Sequence, residues 1–169
     1  MREIILQWVQ QRHLSTVSFK EETSPANDPH DDYIVAYEAS FEPKSLDQAR
    51  VEVWVTTQGN VAIGFETRKR ISTRLGLTTK STRFGAGHEP ALRSGTGLLA
   101  ILGAVADGKI AIRAIAIPFF GLISTKAVTL HDVRQELVSK GYTPVDWLMG
   151  VSENEFAQQK LLRFRRWDD

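Results

Sequence analysis

Apolar and polar residues alternate along three neighbouring stretches of the chain, 33–41, 51–57 and 61–67. The apolar positions recur at every second residue, which is the spacing of a β-strand with one buried face. Strands that are apolar on one face only are typical of an antiparallel sheet that packs helices on one side. We therefore predict three adjacent antiparallel strands, the last two of them joined as a hairpin.

The register of this hairpin can be predicted from the faces of its strands. A three-residue loop over 58–60 pairs Val53 with Phe65, and it also pairs Val55 with Ile63. All four apolar side chains then share one face, whereas a two-residue loop mixes apolar and polar side chains. The three-residue loop is preferred, and it contains a glycine that can adopt the left-handed conformation such a loop requires.

Glutamates face each other on the polar side of this predicted hairpin. The preferred register sets Glu52 opposite Glu66. The same register places Trp54 over Gly64. Glu38 lies on the same face if strand 33–41 is adjacent to strand 51–57. Like charges directly across a sheet are destabilising unless water, basic side chains or a bound ligand compensates. The carboxylates are candidate metal ligands (Glu38, Glu52, Glu66) or acid–base groups (Glu52, Glu66), but an ion-paired or solvated face is favoured.

Helical spacing of apolar residues predicts a first helix over 3–12 and another over 98–106, which Gly108 ends in a left-handed position. The Ile/Ala-rich stretch 110–117 predicts a strand buried on both faces, and 15–21 predicts a further strand. A short helix is also predicted near 70–75. This order of elements indicates an α+β fold, mainly one antiparallel sheet of about five or six strands with helices on one face.

Capping boxes predict the starts of the last two helices. Thr129 with Asp132 marks one start, and Ser152 with Glu155 marks the other. The final helix is predicted to begin acidic and end basic, as the helix macrodipole favours. Its basic end comprises Lys160, Arg163, Arg165 and Arg166.

The length of 169 residues predicts a single domain covering 1–169. Cysteine is absent, so neither disulfides nor a cysteine nucleophile are available, which fits a reducing cytoplasm. No membrane segment is predicted, because charged residues interrupt the most apolar region and the N-terminal stretch MREIILQWVQQRHL lacks a continuous apolar run.

The net charge of +1 hides two opposed blocks. Nine acidic residues stand against two basic ones over 21–52, a net charge of −7, and seven basic residues stand against one acidic over 68–93, a net charge of +6. The Gly/Ser/Thr-rich segment 68–97 is predicted to be a flexible surface feature that binds partners through charge. The binding candidates are Arg68, Lys69, Arg70, Arg74, Lys80, Arg83 and the aromatic Trp54.

Known catalytic patterns are weak in this chain. No G-x-S-x-G elbow or phosphate-binding glycine motif occurs, and the NDPHDD stretch lacks the residues of a calcium loop. His88 is a third catalytic candidate because it lies in a glycine-rich segment. No motif predicts a cofactor.

Three functional hypotheses follow. The leading one is a non-catalytic cytoplasmic binding protein, such as a small inhibitor, adaptor or chaperone-like protein, that holds a protein partner through its charged surface. The alternative is nucleic-acid or phosphate binding through the basic segment Arg68–Arg93. The third is a small metal-dependent enzyme built on Glu38, Glu52 and Glu66. The absence of a catalytic motif points away from an enzyme.

Overall fold

The computed structural model describes residues 1–23, 35–67, 71–72, 78–79, 83–86, 95–117, 122–141, 148–158 and 161–169. The predicted α+β fold is confirmed, with four helices in these ranges and two mainly antiparallel sheets. None of these helices exceeds 11 residues, and none is long and apolar enough to cross a membrane. The helices are α1 (Arg2–Arg12), α2 (Thr96–Ala106), α3 (His131–Ser139) and α4 (Glu153–Gln158).

The first sheet has five antiparallel strands in the order β1-β2-β3-β4-β7. The three alternating stretches of the sequence form its centre, as predicted. Side chains of β2, β3 and β4 alternate between buried and partly exposed positions, so the sheet has one core face and one outer face. Its strands are β1 (Val17–Thr23), β2 (Val35–Pro43), β3 (Arg50–Thr56), β4 (Val61–Glu66) and β7 (Arg83–Ala86).

A second sheet of four strands, in the order β10-β9-β8-β11, was not predicted. Strand β8 coincides with the predicted stretch 110–117, and it pairs antiparallel with β9 and with β11. The pair β10 and β9 is parallel. The strands of this sheet are β8 (Ile110–Ile117), β9 (Leu122–Leu130), β10 (Leu148–Val151) and β11 (Leu161–Arg163), and a separate two-stranded sheet joins β5 (Ile71–Ser72) to β6 (Thr78–Thr79).

One hydrophobic cluster joins the core faces of both sheets to helices α1, α2 and α3. Helix α2 is apolar almost all round, which suits a helix that packs against several neighbours. Trp167, near the C-terminal end, is fully buried in this cluster and stacks on Phe41 at a ring separation of 5.4 Å. The core therefore draws on residues from both ends of the chain.

The hairpin register differs from the prediction by two residues. Val53 lies opposite Ile63 rather than Phe65, and Phe65 lies opposite Val51. The loop does have three residues, but it covers 57–59: the amide of Thr56 bonds to the carbonyl of Asn60 at 2.9 Å, and Gly59 has φ +77°. Moving the loop by one residue shifts the pairing by two, so the apolar face stays intact. Face uniformity alone therefore could not choose between these registers.

The structure confirms one of the three helix features predicted near the end of the chain and contradicts the other two. The Ser152–Glu155 capping box is confirmed, with the Glu155 amide bonded to the Ser152 hydroxyl at 3.2 Å. Thr129 is not a cap, because its hydroxyl donates to the carbonyl of Lys109 at 2.7 Å. The last helix spans Glu153–Gln158, and it does not continue through Arg163 as predicted, since 161–163 pair with β8 as a strand; Lys160 lies outside the described residues. The short helix predicted near 70–75 is contradicted at 71–72, which form β5.

Candidate functional site

The outer face of the first sheet, here called the acidic face, carries the three glutamates that the sequence singled out. Five of its side chains are glutamates and two are basic. It comprises the outward residues of β1 to β4: Ser18, Lys20, Glu22, Glu38, Ser40, Glu42, Arg50, Glu52, Trp54, Ala62, Gly64 and Glu66.

The predicted opposition of Glu52 and Glu66 is wrong. Glu52 lies opposite Gly64, and Glu66 lies opposite Arg50. The Arg50 guanidinium contacts Glu52 at 2.7 Å and Glu42 at 3.3 Å. A basic side chain of the protein therefore does compensate Glu52, as was expected of this face. On the other side of β4, Arg83 of β7 lies opposite Glu66.

The like-charge pair of this face lies one strand away, where Glu22 is directly opposite Glu38. Neither carboxylate has an ion-pair partner among the residues that the structure describes. Glu38 also lies opposite Trp54 on its other side. Both glutamates line a depression of about 230 Å³ that Lys20 and Arg50 border. Because like charges across a sheet repel, this pair is destabilising as far as the described residues are concerned, since none of them forms an ion pair with either carboxylate.

The candidate metal ligands do not come together. Glu38 pairs with Trp54, Glu52 with Gly64 and Glu66 with Arg50, so the three carboxylates lie in three different cross-strand rows. Among the described residues, no group of three or more histidine, aspartate or glutamate side chains is placed to hold a metal ion. The geometry gives the metal hypothesis no support on this face.

Most of the predicted binding residues lie outside the described part of the chain. This holds for five of the basic candidates and for the catalytic candidate His88. Arg83 and Trp54 are described: Arg83 occupies β7 and Trp54 is half-buried on the acidic face. The five basic candidates outside the described residues are Arg68, Lys69, Arg70, Arg74 and Lys80.

A groove of about 390 Å³ lies between α1, α2 and α3. Its size falls in the range of small-molecule pockets. Apolar residues line one part of it, among them Ile4, Trp8 and Leu99. The sequence did not predict this groove, because it depends on how three separate helices pack.

The charged end of this groove is already compensated within the protein. Arg12 contacts Asp107 at 2.6 Å, and Lys140 contacts Glu136 at 2.5 Å. Burial opposes ionisation of Asp107, but the hydrogen bond and charge of Arg12, with Lys109 and Arg166 nearby, hold the pKa of this carboxyl below its ordinary value. The ion pairs satisfy these charges internally, unlike the pair Glu22 and Glu38.

A scan against protein-family models and searches of curated proteins and of solved structures found no match to this chain. The acidic face combines a depression with a like-charge pair that has no ion-pair partner among the described residues, and this makes it the better candidate site.

Substitutions on the acidic face are expected to change stability in opposite directions. Glu38→Gln removes one member of an uncompensated pair and should raise the free energy of unfolding by about 0.2–0.5 kcal/mol. Glu52→Gln removes the nearer of the two carboxylates that contact Arg50 and should lower the free energy of unfolding by about 0.5–1 kcal/mol. Urea unfolding at pH 7 measures both, and 1 M salt should shrink the Glu38 effect. A stabilising Glu52→Gln would contradict the compensation by Arg50.

Proposed function

We propose that the protein is a non-catalytic binding protein that recognises a lysine- or arginine-rich segment of a protein partner through its acidic face. The observation that carries the proposal is the direct opposition of Glu22 and Glu38 without an ion-pair partner among the described residues. A cationic side chain placed between them would offset their repulsion and gain two charge-assisted hydrogen bonds. Binding would thus relieve an unfavourable interaction of the free protein.

Two further features support a basic protein segment as the partner. The depression at Glu22 and Glu38 is small and polar, which suits a single cationic side chain presented by a larger molecule. Glutamates outnumber basic residues on the acidic face, so it would also speed the encounter with a positively charged partner. We also infer a cytoplasmic location, with which a chain free of cysteine is compatible.

Binding of a fluorescent lysine-rich peptide tests the proposal, with anisotropy as the readout. The double substitution Glu22→Gln/Glu38→Gln removes the charge from both acceptors and should weaken affinity by at least about tenfold, since the loss of one charge-assisted hydrogen bond already has that effect. Raising salt from 0.1 M to 1 M should weaken binding of the unsubstituted protein steeply, since the Debye length falls from ~10 Å to ~3 Å.

The matched control removes the same number of charges elsewhere. Glu136→Gln/Glu153→Gln changes two exposed helix glutamates and should leave peptide affinity within about twofold. Equal losses in both double variants would mean a response to net charge alone and would refute the proposal. The nucleic-acid alternative would instead be favoured if the unsubstituted protein bound a single-stranded oligonucleotide and the triple charge reversal of Arg68, Lys69 and Arg70 to glutamate abolished this binding.

A further inference from the structure

The second sheet has an outer face of opposite charge to the acidic face. Its four strands contain no aspartate or glutamate. Three basic residues share the side of the sheet that faces away from the main core, and we call them the cationic face: Arg113 of β8, Lys126 of β9 and Arg163 of β11.

Two of these cations oppose each other directly. Arg113 pairs with Lys126 across β8 and β9, and both side chains are partly buried. The Nε and Nη2 atoms of Arg113 are buried and have no hydrogen-bond partner in the described part of the chain. A buried charged donor without an acceptor is strongly destabilising, and so is a like charge directly opposite it. A bound anion would accept hydrogen bonds from Arg113 and neutralise the repulsion between Arg113 and Lys126.

No described carboxylate fills this role. Glu155, at the start of α4, bonds to the backbone and hydroxyl of Ser152 at 3.0 Å. Those hydrogen bonds lower its pKa, and the charge of Arg113 adds to the effect, but no ion pair joins Glu155 to Arg113. Glu155 therefore serves the capping box, and the Nε and Nη2 atoms of Arg113 have no acceptor among the described residues.

Arg163 is held differently from the other two cations. Its guanidinium lies 4.9 Å from the ring centre of Phe156. It also donates a hydrogen bond to the carbonyl oxygen of the same residue. Arg163 is thus anchored to α4 and can border an anion bound at the neighbouring pair without being its main ligand.

We propose that Arg113 and Lys126 bind a phosphate group carried by a small soluble molecule. The planar guanidinium presents parallel donors that match two phosphate oxygens, and the lysine ammonium adds a point charge. A phosphate monoester carries about −1.5 to −2 charges at pH 7, which balances two cations. A nucleic-acid strand needs a succession of cations along its path, and among the described residues this face offers only Arg113 and Lys126 besides the already bonded Arg163.

Titration with inorganic phosphate, at constant ionic strength maintained with chloride, tests this site. Isothermal calorimetry gives the affinity, and amide chemical shifts of β8 and β9 give the location. Arg113→Gln should weaken binding about tenfold or more, and Lys126→Gln should also weaken it. Affinity should rise between pH 5.5 and pH 8 as dihydrogen phosphate loses a proton and gains its second negative charge, whereas sulfate affinity should stay constant.

Two control variants distinguish loss of the proposed site from a general loss of positive charge. Arg163→Gln removes a cation of the same face that is already bonded, and Lys140→Gln removes one paired with Glu136. Both should keep phosphate affinity within about threefold. The proposal is overturned if all four variants lose affinity equally, if phosphate does not bind, or if only an oligonucleotide or phosphatidic-acid vesicles bind. If Arg113→Gln fails to fold by circular dichroism, the Lys126→Gln titration decides.

Discussion

Replacing Trp167 with alanine is expected to lower the free energy of unfolding by about 3–5 kcal/mol, the usual effect of truncating a buried tryptophan. This side chain is fully buried, and it packs against Phe41 and Trp8 with ring separations of 5.4 and 6.4 Å. Its indole N–H also donates to the carbonyl of Ala49 at 3.0 Å. Urea unfolding followed by circular dichroism measures the loss.

Two further substitutions separate the contributions at this position. Trp167→Phe keeps most of the packing but leaves the Ala49 carbonyl without its donor, so a loss of about 1–2 kcal/mol is expected. Asp168→Ala changes the exposed neighbour and should stay within about 0.5 kcal/mol. If Trp167→Ala were as mild as Asp168→Ala, the C-terminal segment would not belong to the core.

The first sheet could be predicted because its signal is local. Tyr37, Ala39 and Phe41 alternate with polar residues, and all three are buried as the pattern requires. The register of the hairpin could not be predicted in the same way, because a shift of two residues leaves every side chain on its face. The register depends on whether Gly59 or Asn60 is the last residue of the loop, and in the structure it is Gly59.

The second sheet escaped prediction for a different reason. Strand β9 reads LISTKAVTL, which is rich in β-branched residues, but β10 and β11 have only four and three residues. Such short strands form because neighbouring strands offer pairing, and this tertiary effect overrides local propensity. The predicted continuation of the last helix through Arg163 failed for this reason.

The candidate sites could also be predicted only where they depend on local alternation and not on the pairing of distant strands. Glu38, Glu52 and Trp54 were correctly placed on one polar face by alternation alone. The pairing of Glu22 with Glu38 was not predicted, because it depends on how β1 meets β2 across a long loop. Arg113 was visible as a lone charge in an Ile/Ala-rich strand, but its partner Lys126 lies in a strand that had not been predicted.

Gly108 was predicted to end a helix, and the structure adds a second constraint on it. Its φ of +64° is left-handed, and its amide bonds to the carbonyl of Val105 at 3.0 Å. Lys109 completes a Schellman motif through its bond to Ala104 at 2.9 Å. A Cβ atom at Gly108 would lie 2.7 Å from the backbone oxygen of Phe164. The C-terminal segment that carries Trp167 therefore packs so closely against Gly108 that it leaves no room for a side chain there.

Gly108→Ala is accordingly expected to lower the free energy of unfolding by about 2–4 kcal/mol, through both the left-handed backbone and the displaced segment. Gly59→Ala is the matched control, because Gly59 has φ +77° but nothing within 4 Å of an added Cβ. It should lose only about 1–2 kcal/mol, the effect of the conformation alone. Asparagine tolerates that conformation better, so Gly59→Asn should be nearly neutral while Gly108→Asn remains destabilising. Urea unfolding of all four variants makes the comparison, and equal losses at the two positions would show that the C-terminal segment does not constrain Gly108.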